Sequence, residues 1–184
     1  MNQPEAHQTL TTERLRLRPL AVADAECVQE YAGDLEVARW TCLIPHPYPE
    51  GAAREWIESL GDGSDRVFAI VLAATDELIG VIGVHPDSTG KSAEIGFWIG
   101  VPHWGHGYMT EAAREILRHC FEDLGLQRIF AGHFDGNEAS GRVQQKIGMR
   151  KEGFHPWGHW RFGEPRDRVT YGIIRPDWEA LQER

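Results

Sequence analysis

The sequence has few cysteines and no long hydrophobic run, and both scarcities limit what kind of protein it can be. Cys27, Cys42 and Cys120 are odd in number and show no paired spacing, which argues against a disulfide framework and for a reducing compartment. The longest apolar stretch, from Val67 to Ala74, is far shorter than the ~20 residues that a membrane helix needs. The first ten residues lack the basic and apolar segments of a signal peptide. We therefore expect a cytoplasmic protein that makes no membrane contact.

Positively charged residues are also in the minority. Nineteen Lys and Arg face 28 Asp and Glu, giving a formal net charge of −9. This excess of carboxylates repels a phosphate backbone, so we expect no nucleic-acid partner. The 184 residues, 41% of them hydrophobic and 26% charged, are typical of one globular domain spanning residues 1–184. A monomer and a homodimer both remain open.

The order of predicted elements indicates an α/β fold with a mixed sheet. Strands are predicted at residues 14–18, 67–73, 78–84, 93–99, 128–134 and 168–174, and helices at 23–31, 50–60, 108–123 and 138–146. Hairpins followed by a β–loop–α–β crossover imply a sheet with antiparallel and parallel pairs and with helices on its faces.

A glycine-rich loop between a predicted strand and the long helix is the most informative segment. It reads Trp104, Gly105, His106, Gly107, Tyr108, Met109, Thr110, Glu111, Ala112. Backbone N–H groups at a helix N-terminus suit a phosphate, and glycines let the backbone approach it closely. The segment lacks the Gly-Lys-Ser/Thr of a Walker loop, and Thr110 stands where a dinucleotide fingerprint needs its third glycine. A pyrophosphate site and a turn without a ligand both remain possible from the spacing alone.

Several segments together resemble the GCN5-related N-acetyltransferase (GNAT) superfamily, and most closely its RimJ/RimL-like branch, which acetylates ribosomal-protein N-termini. They are Thr12 to Arg18, Glu94 to Ile99, Trp104 to Ala112, Gly136 to Ser140, Lys146 to Gly153 and Asp167 to Tyr171. The resemblance covers residues 11–174. It implies a mostly antiparallel sheet of about seven strands with helices on both faces.

The resemblance also implies acetyl-CoA as co-substrate and a set of residues that bind it. Backbone amides from Gly105 to Thr110 would hold the pyrophosphate, the strand residues Phe97, Trp98 and Ile99 would pair with the pantetheine arm, and Asn137 would hydrogen-bond that arm. Trp104 stands where the superfamily has a basic residue or Gln. Met109 replaces the usual Ala or Gly, and its larger side chain is expected to crowd the loop.

Acetyl transfer to an amine requires a base for the amine and a proton for the leaving sulfur. Ser140 is the candidate donor to the sulfur, although a helix-cap role is an equal alternative. The position four residues later, where many relatives carry Tyr, is Gln144. Glu94 is the leading candidate for the base because its apolar sequence neighbours would raise its pKa. His155 and His159 are alternative bases; Pro156 and Gly158 break the helix that a metal-binding pair would need, so no metal is expected.

The resemblance implies a primary amine as the acceptor, and the resemblance to the branch favours the α-amine of a protein N-terminus. The alternatives are a small amine, such as a polyamine, an amino sugar or an antibiotic, and a module that binds acetyl-CoA without turnover. The resemblance implies that Trp40, Trp157 and Trp160 lie in loops beside the acceptor cleft, where aromatic rings can hold a cation; ordinary packing is an equal alternative.

Overall fold

The computed structural model describes residues 8–60 and 65–183, and in these residues eight strands form one sheet. The strands are β1 (Leu10–Thr11), β2 (Leu15–Pro19), β3 (Arg66–Leu72), β4 (Leu78–Pro86), β5 (Ser92–Ile99), β6 (Arg128–Phe134), β7 (Arg150–Arg161) and β8 (Glu164–Ile174). Their order across the sheet is β1-β2-β3-β4-β5-β6-β8-β7. Residues 1–7, on which the signal-peptide expectation rests, lie outside the described ranges.

The sheet is antiparallel at every pair except β5 and β6, which run parallel. The chain between these two strands forms the predicted loop and helix, so the crossover is confirmed. The expected number of about seven strands is one too few. The two-residue β1 and the polar β7 were not predicted, because neither shows the alternating apolar pattern of a half-buried strand.

Six α-helices are present in the described ranges, and they cover both faces of the sheet, as predicted. They are α1 (Ala25–Gly33), α2 (Leu35–Ala38), α3 (Ala52–Ser59), α4 (Tyr108–Arg118), α5 (Glu138–Lys146) and α6 (Arg175–Gln182). Helices α1 and α3 bury Val28 and Ile57 against one face, and α4 buries Ile116 against the other. The predicted helix at 108–123 ends as an α-helix at Arg118 and continues as a π-helical turn, His119–Asp123. No helix in the described ranges is long and apolar enough to cross a membrane.

Strands β5 and β6 separate soon after they begin to pair, and this separation positions the site. Their register holds only from Ser92 opposite Arg128 to Glu94 opposite Phe130. Beyond Glu94, β5 continues to Ile99 paired with β4 alone, and β6 continues to Phe134 paired with β8. A gap therefore opens in the middle of the sheet.

The long hairpin of β7 and β8 corrects the expectation that Trp157 and Trp160 lie in loops. Both residues belong to β7, the edge strand, and their side chains are 69% and 62% exposed. The ladder to β8 is interrupted between His155 and His159, where Trp157 has φ +52°. Pro156 and Gly158 disrupt regular pairing at this point, which is why the segment reads as a loop.

Candidate active site

The glycine-rich loop has the conformation that a phosphate cradle needs. Gly105 and Gly107 have φ of +80° and +78°, in the left-handed region where side chains are strained. A Cβ atom at Gly105 would meet nothing within 4 Å, so the space beside the loop is open. No side chain caps the first turn of α4, which begins at Tyr108. The amide groups of that turn therefore stay available for an anion.

Side chains of the loop contact one another and the end of β5. Trp104 donates from its indole nitrogen to the Ile99 carbonyl at 2.8 Å, which ties the loop to the end of β5. His106 stacks on Tyr108 with ring centroids 5.5 Å apart. The expectation that Met109 crowds the loop is wrong, because its side chain is only 7% exposed and packs in the core beneath α4.

A network from the chain before β2 holds the loop in place. Arg14 donates to the Glu111 carboxylate at 2.7 Å and to the His106 carbonyl at 3.0 Å, and Thr12 donates to Glu111 at 2.6 Å. The Arg14 guanidinium also lies 4.7 Å from the centroid of the Tyr108 ring. Burial opposes the charge of Glu111, but the hydrogen bonds from Thr12 and Arg14 outweigh it and lower the pKa of the carboxyl group. The sequence analysis missed this network.

The end of β5 has no neighbouring strand at the gap among the described residues, and the Ile99 carbonyl there accepts from the Trp104 indole nitrogen. Phe97, Trp98 and Ile99 pair with β4 on one side and have no partner strand in the described ranges on the other. Phe97 and Ile99 pack on the core beneath α4, whereas Trp98 faces the α1 and α3 side. Such an edge can pair with the amides of an extended ligand as it would with another strand.

Across the gap, the N-terminus of α5 carries the other predicted cofactor residues. Asn137 caps the helix, since its side-chain oxygen accepts from the Ser140 amide at 3.2 Å. The Ser140 hydroxyl accepts from Gln144 at 3.3 Å, and Gln144 also contacts His133 of β6. Gln144 is fully buried. The structure thus brings Asn137 and Ser140 to the gap, and it adds His133, which the sequence analysis had not selected.

Glu94 lies where β5 and β6 part, on the sheet face that carries α1 and α3. Its carboxylate accepts a hydrogen bond from Arg168 of β8 and forms an ion pair with it. The guanidinium crosses β6 at Gly132, where a side chain would collide with it. The expected apolar surroundings are therefore wrong, because Glu94 is partly exposed and has a cationic neighbour that lies 74 residues away in sequence.

Aromatic rings and arginines continue this face away from Glu94. His159 lies 5.5 Å from Phe134, and the Arg166 guanidinium lies 5.8 Å from both the Phe134 and Trp40 rings. Trp40 is 3.7 Å from the Cβ position of Gly136, immediately before the α5 cap. We refer to Trp40, Phe134, His159 and Arg166 as the aromatic cleft. His155, the other alternative base, contacts Thr170 at 3.1 Å.

A buried arginine fixes one wall of the aromatic cleft. Arg161 is 8% exposed, and its guanidinium donates to the Ala38 carbonyl at 2.6 Å and also to the Ile44 carbonyl. Burial lowers the pKa of Arg161. These bonds hold the turn that carries Trp40.

The donors and spaces at the gap fit acetyl-CoA. Open amides of the loop match a pyrophosphate, and the β5 edge matches the amides of pantetheine. No cluster of three or more His, Cys, Asp or Glu side chains suited to a metal occurs in the part of the chain that is described.

The fold and site define an α/β protein that holds an extended, phosphate-containing co-substrate at a split in its sheet. The acetyltransferase (GNAT) domain matches residues 14–150, and the chain belongs to this family. It is 34% identical over 172 residues to the uncharacterized N-acetyltransferase YnaD of Bacillus subtilis, covering 92% of this chain and 98% of the relative. It is 28% identical over 182 residues to the ribosomal protein uS5-alanine N-acetyltransferase of Escherichia coli, covering 92% of each. An acetyltransferase structure from Bacillus anthracis superimposes with a TM-score of 0.83 at 29% identity, covering 91% of this chain and 98% of that one.

These matches confirm the GNAT fold, the RimJ/RimL-like resemblance and the enzyme class. The protein is an acetyl-CoA-dependent N-acetyltransferase.

Proposed function

We propose that the protein acetylates the α-amine of a protein N-terminus by direct attack within a ternary complex. The observation that carries the proposal is the pairing of Glu94 with Arg168 at the point where β5 and β6 part. The leading base candidate is thus already engaged by a cation. Such a site suits an acceptor that needs little help in losing its proton.

The chemistry of amines supports this choice of acceptor. With reference pKa values of about 8 and about 10.4, roughly a quarter of peptide α-amines but only about one Lys side chain in a thousand are neutral at pH 7.5. The E. coli relative is named for the alanine of a ribosomal protein.

Different residues of the chain would bind acetyl-CoA and transfer the protons. Acetyl-CoA supplies an acetyl group on a thioester, whose sulfur is a good leaving group. Amides of residues 105–110 and the β5 edge hold and orient it, with Asn137 donating from its side-chain nitrogen. Glu94, directly or through water, accepts the proton that the attacking amine loses. Ser140 donates its hydroxyl proton to the sulfur as the carbon–sulfur bond breaks and the nitrogen–carbon bond forms, and solvent returns the amine's proton to it.

The test compares two peptides of the same length and charge pattern. One has a free α-amine and no Lys; the other is N-acetylated and contains one internal Lys. We expect the free α-amine to be preferred by at least ~10-fold in kcat/KM, which is about 1.4 kcal/mol of discrimination. The rate should rise from pH 6.5 and level off near the pKa of the α-amine. Faster acetylation of the blocked peptide, or of spermidine run in parallel, would overturn the proposal in favour of a side-chain or small-molecule acceptor.

A further inference from the structure

Three side chains form a hydrogen-bonded chain from β6 to Ser140. The Nδ1 atom of His133 lies 3.2 Å from Oε1 of Gln144, and Nε2 of Gln144 lies 3.3 Å from Oγ of Ser140. Gln144 has no exposed surface, so water cannot replace either partner. A buried amide of this kind is held by its two neighbours, and the direction of each bond depends on the other.

The His133 ring is fixed in its place and plane. It stacks on Tyr171 of β8 with ring centroids 5.6 Å apart, and Gln145 donates to the Tyr171 hydroxyl at 3.1 Å. On its other side it lies against Gly141, where a Cβ would come within 3.1 Å of the His133 Cε1 atom and 3.3 Å of Nε2. The Nε2 edge faces the helix, so His133 does not reach toward the amine on the opposite sheet face.

The direction of the hydrogen bonds that link His133, Gln144 and Ser140 determines whether Ser140 can donate its proton. When Nδ1 of His133 carries the proton, it donates to Oε1 of Gln144, and the amide nitrogen then faces Ser140. The Ser140 oxygen accepts that bond and keeps its own proton for another partner. In the reverse direction, Gln144 would accept the Ser140 proton, and Ser140 would have none left for the sulfur.

We propose that His133 is a positioning residue that, through Gln144, keeps the Ser140 hydroxyl proton directed at the sulfur of acetyl-CoA. This inference rests on the proposed role of Ser140 in the same site. Burial lowers the pKa of His133, which favours the neutral ring; the Gln144 bond and the Glu138 and Asp135 carboxylates oppose that effect, and Lys151 adds to it. A neutral ring has a single N–H group, so its tautomer sets the direction of the whole chain.

Two variants separate the hydrogen bond from the packing of the ring. His133→Phe keeps an aromatic ring against Tyr171 but has no donor, whereas His133→Asn keeps an N–H group close to the position of Nδ1. We expect His133→Phe to lower kcat by ~10-fold or more, up to the roughly 10²–10⁴-fold that general acid catalysis contributes, with little change in the Kd of acetyl-CoA by calorimetry. His133→Asn should retain most of the wild-type kcat. In a Ser140→Ala background, His133→Phe should cause no further loss, because both changes remove the same donation.

Three kinetic results would overturn the inference. They are an unchanged kcat in His133→Phe, a His133→Asn variant as slow as His133→Phe, and losses in the double variant that multiply. Thermal unfolding of each variant serves as the control for a general packing defect.

A second readout does not depend on turnover. Nitrogen-15 NMR of the histidine rings, assigned by comparison with His133→Asn, should show the Nδ1–H tautomer of His133 at pH 7.5 in the protein without acetyl-CoA. An Nε2–H tautomer would overturn the inference even in an active enzyme. If the wild-type protein acetylated none of the amines tested, the proposed function would fail, whereas the NMR result would still decide the direction of the chain.

Discussion

Arg14 and Glu111 lie 97 positions apart in the chain, yet their side chains meet at 2.7 Å beneath the glycine-rich loop. The same guanidinium donates to the His106 carbonyl, which lies between the two loop glycines. The segment before β2 therefore shapes a loop that belongs to a different part of the chain.

Replacing Arg14 with Met should weaken binding of acetyl-CoA without unfolding the protein. The loop would lose its bonds to the guanidinium, and each hydrogen bond to a charged group contributes about 1.5–3 kcal/mol, so we expect the Kd to rise ~10-fold. Arg16→Met is the matched control, because Arg16 pairs with Asp76, whose side chain is 72% exposed. Calorimetry with CoA measures both variants. Equal affinities for the two would show that Arg14 does not support the loop.

Gly105 and Gly90 provide a second matched pair. Both have positive φ, of +80° and +63°, and a Cβ at either would meet nothing within 4 Å. Alanine should therefore strain both backbones to a similar extent, by about 1 kcal/mol. Gly90 lies in the turn before β5, at the opposite end of that strand from the loop. We expect Gly105→Ala alone to raise the Kd of acetyl-CoA, and a similar rise in Gly90→Ala would mean that strain, not the phosphate site, causes it.

The sequence predicts best where local signals and the fold agree. The bounds of β6 and α5 were predicted correctly, because the run from Arg128 to Phe134 is rich in apolar and aromatic residues and Asn137 caps the helix that follows. Helix α6, in contrast, was missed, although Pro176 in its first turn is a known start signal.

Residues that come together only through strand register were beyond the reach of sequence patterns. The partner of Glu94, Arg168, depends on how β8 lines up beside β6 and on the glycine that leaves room at position 132. His133 could have been selected from the sequence, because it continues the alternation of Ile129 and Ala131. Those two residues lie on the face of β6 that packs against α4. A histidine at such an alternating position is a candidate for a buried hydrogen bond.

Glu94→Gln should lower kcat/KM for the α-amine substrate from pH 6.5 to 8.5, whereas the rise toward the pKa of the amine belongs to the substrate and should remain. The amide has the same shape but cannot accept the amine's proton. Because the α-amine needs little help in losing that proton, we expect a loss no larger than the lower end of the roughly 10²–10⁴-fold that a general base contributes. Glu152→Gln is the control, because Glu152 is also bound by an arginine, Arg128, at 2.7 Å, but lies on β7 away from the gap. An unchanged kcat/KM in Glu94→Gln would leave His155, His159 or water as the base.

The stability of the protein should depend on His133 between pH 7.5 and 5.5. Burial lowers the pKa of His133 in the folded protein from its ordinary value of 6.5, so the unfolded chain takes up a proton at a higher pH than the folded protein does. The contribution of the neutral His133 ring to the free energy of unfolding is therefore fully present above pH 6.5. It is lost as the pH falls through 6.5 toward the pKa in the folded protein, with a slope of up to about 1.4 kcal/mol per pH unit. His133→Phe lacks this group and should lose less stability over the same interval. Urea unfolding of both proteins at the two pH values gives the loss of unfolding free energy in each. The other histidines are common to both proteins, so their contributions cancel when the two losses are subtracted. An equal or larger loss in His133→Phe would mean that the ring is not held neutral against Tyr171.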